Sequence, residues 1–181
     1  MGALFLDEFG YHRWPDVAPT GGAEAAGAPR AGNNQQWRTI GALNALTGQG
    51  TYLDGYIVGR LQVSQFYAQL NHASAGLDRL YVIQDNWNIH PHPDVLSAVE
   101  KYPRITPVWL PTYSPWLNPI EKLWRWLRQD VLKMHRWVED WPHVKQRVHD
   151  FLDQFAQGSS DLLRYVGLVG KGKLATVLNT S

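Results

Sequence analysis

Cysteine is absent from the 181 residues. That excludes disulfides and thiolate metal ligands, and it fits a reducing compartment. No apolar run reaches the length of a membrane span, so the sequence reads as soluble, with no membrane partner. The opening MGALFLDEFG has neither a basic n-region nor a long apolar core, so it does not read as a signal peptide. Internal repeats are also lacking. What remains is an ordinary globular balance, 44% hydrophobic and 18% charged, in a length that suits one well-cored domain.

The formal net charge of +1 hides an asymmetry. Residues 1–100 hold 5 Lys/Arg against 9 Asp/Glu, and residues 101–181 hold 12 against 7. A split of this kind arises by chance over small counts, or from a polyanion-binding face beside an acidic, metal-binding site.

Ala3–Glu8, ALFLDE, is a short apolar run ending in two carboxylates and reads as a buried strand. Gly21 to Gly32 is rich in Gly and Ala and reads as a loop. WRTIGALNA and GTYLDGYIVG, separated by LTGQG, read as a β-hairpin. LQVSQFYAQLNHA has Val63, Phe66, Tyr67 and Leu70 at helical spacing. Arg79–Asp85 is a second acid-ended strand, residues 93–101 a short helix, and ITPVWLP a third strand stopped by proline. A long helix is expected from Asn118–Pro119 to Val131, and another from about Pro142 to Phe155. The order, strands first and alternating units after, suggests a mixed sheet with helices against its faces.

Two strands therefore end in acid, at Asp7 and Asp85. If they are parallel neighbours, their ends lie on the sheet edge where α/β folds bind ligands. Carboxylates held close need a cation or a proton between them, and an oxygen-only donor set favours Mg²⁺ or Mn²⁺. Equally, aspartate often just ends a strand. Glu121 has a local role available too. With Asn118 as N-cap and Pro119 at the first helical position, Glu121 stands third, which is a capping-box arrangement at a helix terminus that favours negative charge.

The joint pattern goes further. From Asp85 to Glu121 there are 35 intervening residues, framed by VIQDNWNIH and WLPTYSPWLNPIEKLW. Asp85-Asn86 followed by His90, and the run Leu110 to Trp124, resemble the DDE endonuclease domain of Tc/mariner-superfamily insertion-sequence transposases. FLDEFGYH resembles that family's first acidic strand. Together these motifs cover most of residues 3–155.

The resemblance implies an α/β, RNase H-like fold: a mixed central sheet flanked by helices. It implies metal-dependent phosphodiester cleavage and strand transfer on DNA at transposon ends, with two Mg²⁺ (or Mn²⁺) ions. Carried over residue by residue, it makes Asp7, Asp85 and Glu121 the catalytic, metal-binding triad. Glu8, Asn86 and His90 become accessory or second-layer groups. His90 either contacts a phosphate or a carboxylate, or caps its loop. Trp116, Lys122, Arg125 and Arg128 are candidates for DNA contact, against the alternative of a solvated helix face and ordinary packing. DNA is the implied partner, with a homodimer or a separate DNA-binding part beside it, in a cytoplasmic, nucleoid-associated setting.

Family members have a helix-turn-helix region before the first strand, and only Met-Gly precedes Ala3 here. The expected division is a catalytic domain over 1–156 and a loosely packed tail over 157–181. Two other readings stand beside transposition: a truncated or repurposed protein that binds DNA or a sister transposase without cutting, and another RNase H-like nuclease.

Overall fold

The computed structural model describes residues 1–14, 35–112, 114–133 and 135–170. The loop expected at Gly21–Gly32, Tyr113 of the proline-rich run, and residues 171–181 lie outside the described residues.

β1 (Gly2–His12) is longer than its apolar run suggests. It sits at the centre of a five-stranded sheet of order β3-β2-β1-β4-β5. β2 (Gln36–Asn44) and β3 (Gly50–Gly55) form the expected hairpin, and β2 runs antiparallel to β1. β4 (Leu80–Gln84) and β5 (Ile105–Trp109) run parallel to β1. Parallel neighbours need crossovers. α1 (Arg60–Ala73) leads back to β4, and α2 (Pro93–Val99) leads from β4 to β5.

A central strand must bury both faces, and the side-chain period of two sends alternate residues of β1 into two cores. Leu4 and Leu6 pack with Val63, Phe66 and Leu70 of α1 and Val95 of α2. Phe5 and Phe9 pack on the other face, against α3 (Ile120–Leu127), α4 (Trp141–Asp153) and α5 (Ser160–Val166). Each fully buried Leu, Ile or Phe contributes roughly 1.5–3 kcal/mol relative to exposure. The buried residues of α1 are the four that its sequence spacing selects.

Two expectations change. The helix beginning near Asn118 does not run on as one α-helix. It passes at Arg128–Leu132 into a π-helical turn, which takes one extra residue yet still buries Val131 and Leu132. The segment after residue 156 is not loosely packed throughout. Ser159 caps α5 by accepting from the Leu162 amide at 3.1 Å, and Leu162, Leu163, Val166 and Leu168 join the core. The hairpin turn holds this helix in place. Ser159 N–H donates to the Thr47 carbonyl at 2.9 Å, and Gly48, at φ +69°, lies so close to the Ser159 carbonyl that a Cβ could not fit. Among the described residues no helix is long and apolar enough to cross a membrane.

Candidate active site

β1 and β4 are paired in parallel up to Phe5↔Ile83. Two residues further along each strand stand Asp7 and Asp85. The parallel register therefore brings both acids to one sheet edge, as the sequence reading requires. Asp7 remains inside β1 and is buried, whereas Asp85 lies just past β4, with half of its side chain exposed.

The third acid arrives on a loop fixed by polar contacts. The Leu110 amide donates to the Gln84 carbonyl at 2.8 Å, and Asn86 Nδ2 donates to the Leu110 carbonyl at 3.2 Å. These bonds join the ends of β4 and β5. The proline-rich run then forms a 3₁₀ turn at Pro115–Leu117 and enters α3. The expected capping box is not formed. The helix N-cap is Pro119, which has no side chain to accept with, and Glu121 stands second in the helix, not third. Asn118 reaches elsewhere: its Nδ2 donates 3.0 Å to the carbonyl of Leu6, the residue before Asp7. A 112-residue sequence separation is closed by this one buried bond. It ties the helix start that carries Glu121 directly to the strand that carries Asp7.

Asp7 has an unusual setting. Trp124 Nε1, one turn along α3 from Glu121, donates to Asp7 Oδ2 at 3.1 Å. The indole can lie there because the residue paired with Asp7 on β2 is Gly41. A Cβ on Gly41 would stand 2.5 Å from Trp124 Cη2. Burial first, then the charges of Glu121, Glu8 and Asp85, push the Asp7 carboxyl up to about 8, against a smaller lowering by a backbone hydrogen bond. Glu121 is also raised, by burial and then by Asp85, while Arg125 and Arg128 act to lower it. Trp124 as the partner of Asp7 was not legible in the sequence. Gly41, a glycine inside an apolar strand, was the available signal that something approaches closely there.

Glu8 points to the opposite face of β1 from Asp7. There it meets His90, in the turn between β4 and α2. His90 Nε2 is 2.9 Å from Glu8 Oε1 and 3.8 Å from Asp85 Oδ1. The imidazole is fully buried, with the ring centroids of Trp87 and Trp109 at 5.6 and 6.4 Å from it.

Asp7, Asp85 and Glu121 line one cleft of about 280 Å³, together with Asn86, Asn118 and Ser114. A second groove, of about 350 Å³, borders Glu121 on its other side and is lined by Glu8, Phe9, Arg125 and Arg128. The sequence-predicted cations therefore part company. Arg125 and Arg128 stay beside Glu121, with the Arg128 guanidinium over the Phe9 ring at 5.3 Å. Lys122 turns away and donates to the Val166 carbonyl at the end of α5, at 2.8 Å. Trp116 stands 73% exposed at the loop tip. Three carboxylates thus line one open cleft, and two of them are pushed towards protonation.

A family model described as DDE superfamily endonuclease matches residues 3–144. The insertion element IS630 uncharacterized 39 kDa protein of Shigella sonnei is 25% identical over 118 residues, which are 65% of this chain and 34% of that protein. The Mos1 strand transfer complex superposes with a TM-score of 0.67 at 18% identity, over 98% of this chain and 52% of that one. The catalytic domain of Mos1 mariner transposase does so with a TM-score of 0.57 at 16% identity, over 91% of this chain and 74% of that one. At such identities the structural likeness establishes the fold, which is RNase H-like. The chain spans about a third of the curated relative's length.

Proposed function

Because the chain belongs to the DDE superfamily of endonucleases, we propose that it is the catalytic domain of a DNA transposase, cutting and joining phosphodiester bonds at transposon ends. The observation that carries this reading is the convergence of Asp7, Asp85 and Glu121 on one cleft, from two parallel strand ends and a helix start. Solved complexes of the Mos1 mariner transposase contain Mn or Mg. The donor set here suits the same ions, and Asp7, Asp85 and Glu121 would hold them.

Two such ions, when bound, supply Lewis-acid activation of a water or 3′-hydroxyl and charge stabilisation for the leaving oxygen. The protein's own residues do the rest. Asp7 is held at fixed orientation by Trp124, and Glu121 by the Asn118 tie to β1. Asp85, half exposed, faces the incoming backbone. Asn86 holds the β4 and β5 ends together beneath the cleft. Arg125 and Arg128 line the groove on the far side of Glu121, where they would meet phosphates of the bound strand. Trp116 offers an exposed ring for an unpaired base. DNA is the partner, with a second copy or a further DNA-reading part completing the assembly near the nucleoid.

The test is nicking and joining of element-end DNA in Mg²⁺ or Mn²⁺ by the chain, compared with Asp85→Asn and Glu121→Gln. Each substitution should reduce the rate roughly a thousandfold, as the loss of several kcal/mol of transition-state stabilisation requires. Equal activity in wild type and variants would remove the triad assignment. DNA binding without cleavage by the wild type would favour a binding protein instead.

A further inference from the structure

His90 is almost fully buried, and neither of its ring nitrogens makes a hydrogen bond. Glu8 Oε1, buried beside it, also lacks a hydrogen-bond partner. Leaving buried polar atoms without a well-aligned hydrogen bond is unfavourable, so their convergence calls for a physical reason. Their spacing supplies one. Nε2 of His90 and Oε1 of Glu8 are 2.9 Å apart without forming an aligned hydrogen bond, and Asp85 Oδ1 is 3.8 Å from the same nitrogen. One ligand atom from each of the three lies within 4.8 Å of the other two. Atoms bound to one ion at ~2.1 Å stand ~3.0 Å apart at a right angle and ~3.4 Å apart at the tetrahedral angle. The 2.9 Å pair meets that dimension, and the 3.8 Å separation would have to shorten by a few tenths of an ångström around an ion.

We propose that Glu8, Asp85 and His90 form a second divalent-metal site, on the opposite face of β1 from Asp7, for a transition metal such as Mn²⁺, Co²⁺ or Zn²⁺. One imidazole nitrogen with two carboxylate oxygens favours these ions over Mg²⁺, which prefers oxygen alone. Asp85 is the shared residue. Its two oxygens let one carboxylate border the cleft of Asp7 and Glu121 and also face Glu8 and His90. An ion held on the Glu8 side would fix the Asp85 carboxylate, making Glu8 and His90 positioning residues for the cleft. The site itself stands on the three side chains and does not require the catalytic reading.

Electron spin-echo spectroscopy of the full chain with Mn²⁺ tests this directly. Wild type should show modulation from a coordinated imidazole nitrogen, and a tenfold excess of Mg²⁺ should leave it in place. His90→Gln should lose the modulation. Glu8→Gln should weaken Mn²⁺ binding at this site at least ~10-fold. Glu121→Gln, outside the cluster, should retain the modulation. Wild type without nitrogen modulation, or modulation that survives in a folded His90→Gln, overturns the site. Because the wild-type spectrum alone can refute it, a variant that fails to fold does not shelter the proposal. Cleavage assays test the triad separately, so either conclusion can fail alone.

Discussion

The indole of Trp124 donates a hydrogen bond to the carboxylate of Asp7 across 117 residues of sequence, at 3.1 Å. An aromatic residue at helical spacing in the core thus also holds a buried acid of the candidate site.

Trp124→Phe should keep most of the packing and remove the donor. With its carboxyl raised to about 8, Asp7 is mostly protonated at neutral pH, and losing a bond between neutral groups costs roughly 0.5–1.5 kcal/mol. Urea denaturation at neutral pH should show that loss. Trp124→Phe combined with Asp7→Asn should cost less than the sum of the two single changes, because both act on one interaction.

Gly41→Ala adds the methyl group that Trp124 leaves no room for. Overpacking of this kind costs about 1–3 kcal/mol. The indole should move off Asp7, visible as altered near-ultraviolet circular dichroism. The same substitution at Gly76, where a Cβ meets nothing within 4 Å, should change neither stability nor spectrum appreciably.

Acidity gives a prediction with a definite sign. Asp7 rises from an ordinary 3.8 to about 8 in the folded protein, so the folded state holds a proton that the unfolded chain has released. Stability contributed by Asp7 is therefore present below pH 4 and is lost as pH rises towards 8. In metal-free buffer, the wild-type melting temperature should fall relative to that of Asp7→Asn by roughly 5–10 °C across this window. Adding Mg²⁺ should recover more of the loss at pH 8 than at pH 6, since the ion needs the ionised carboxylate. Parallel melting curves for wild type and variant across the window would sink the assignment of a raised Asp7.

Lys122 and its neighbours separate two kinds of cation. If Arg125 and Arg128 meet phosphates, changing each to Gln should lower the salt slope of DNA binding by ~1. Lys122→Met should leave the slope unchanged and instead reduce stability by about 1 kcal/mol, through the lost bond to Val166. Fluorescence anisotropy titrations at several salt concentrations distinguish the two.

The strand and helix order was legible because burial imposes its periods on the sequence: two for β1 and β2, 3.6 for α1 and α4. Asp7 and Asp85 could be placed on one edge as soon as the strands were taken as parallel. The capping box could not be corrected from sequence, because Asn118 looks like an ideal N-cap until Leu6, 112 residues earlier, is known to offer its carbonyl. Local rules rank only local partners. Lys122 misled for the same reason, its acceptor being the terminal carbonyl of a later helix. The Glu8–His90 encounter needs both the face of β1 and the path of the β4–α2 turn. Neither has a signature within a short window.

The Lys122–Val166 bond has a consequence for where this folding unit ends. It latches α5 to the residue after Glu121, and the β2–β3 turn clasps the other end of the same helix through Thr47 and Ser159. A chain cut after residue 156 would release both fastenings and open the core beneath α3. Whoever trims this protein for crystallisation, or transplants its acidic cleft into another scaffold, has to carry residues through Leu168. The helix past the expected boundary is the keel of the site, not its wake.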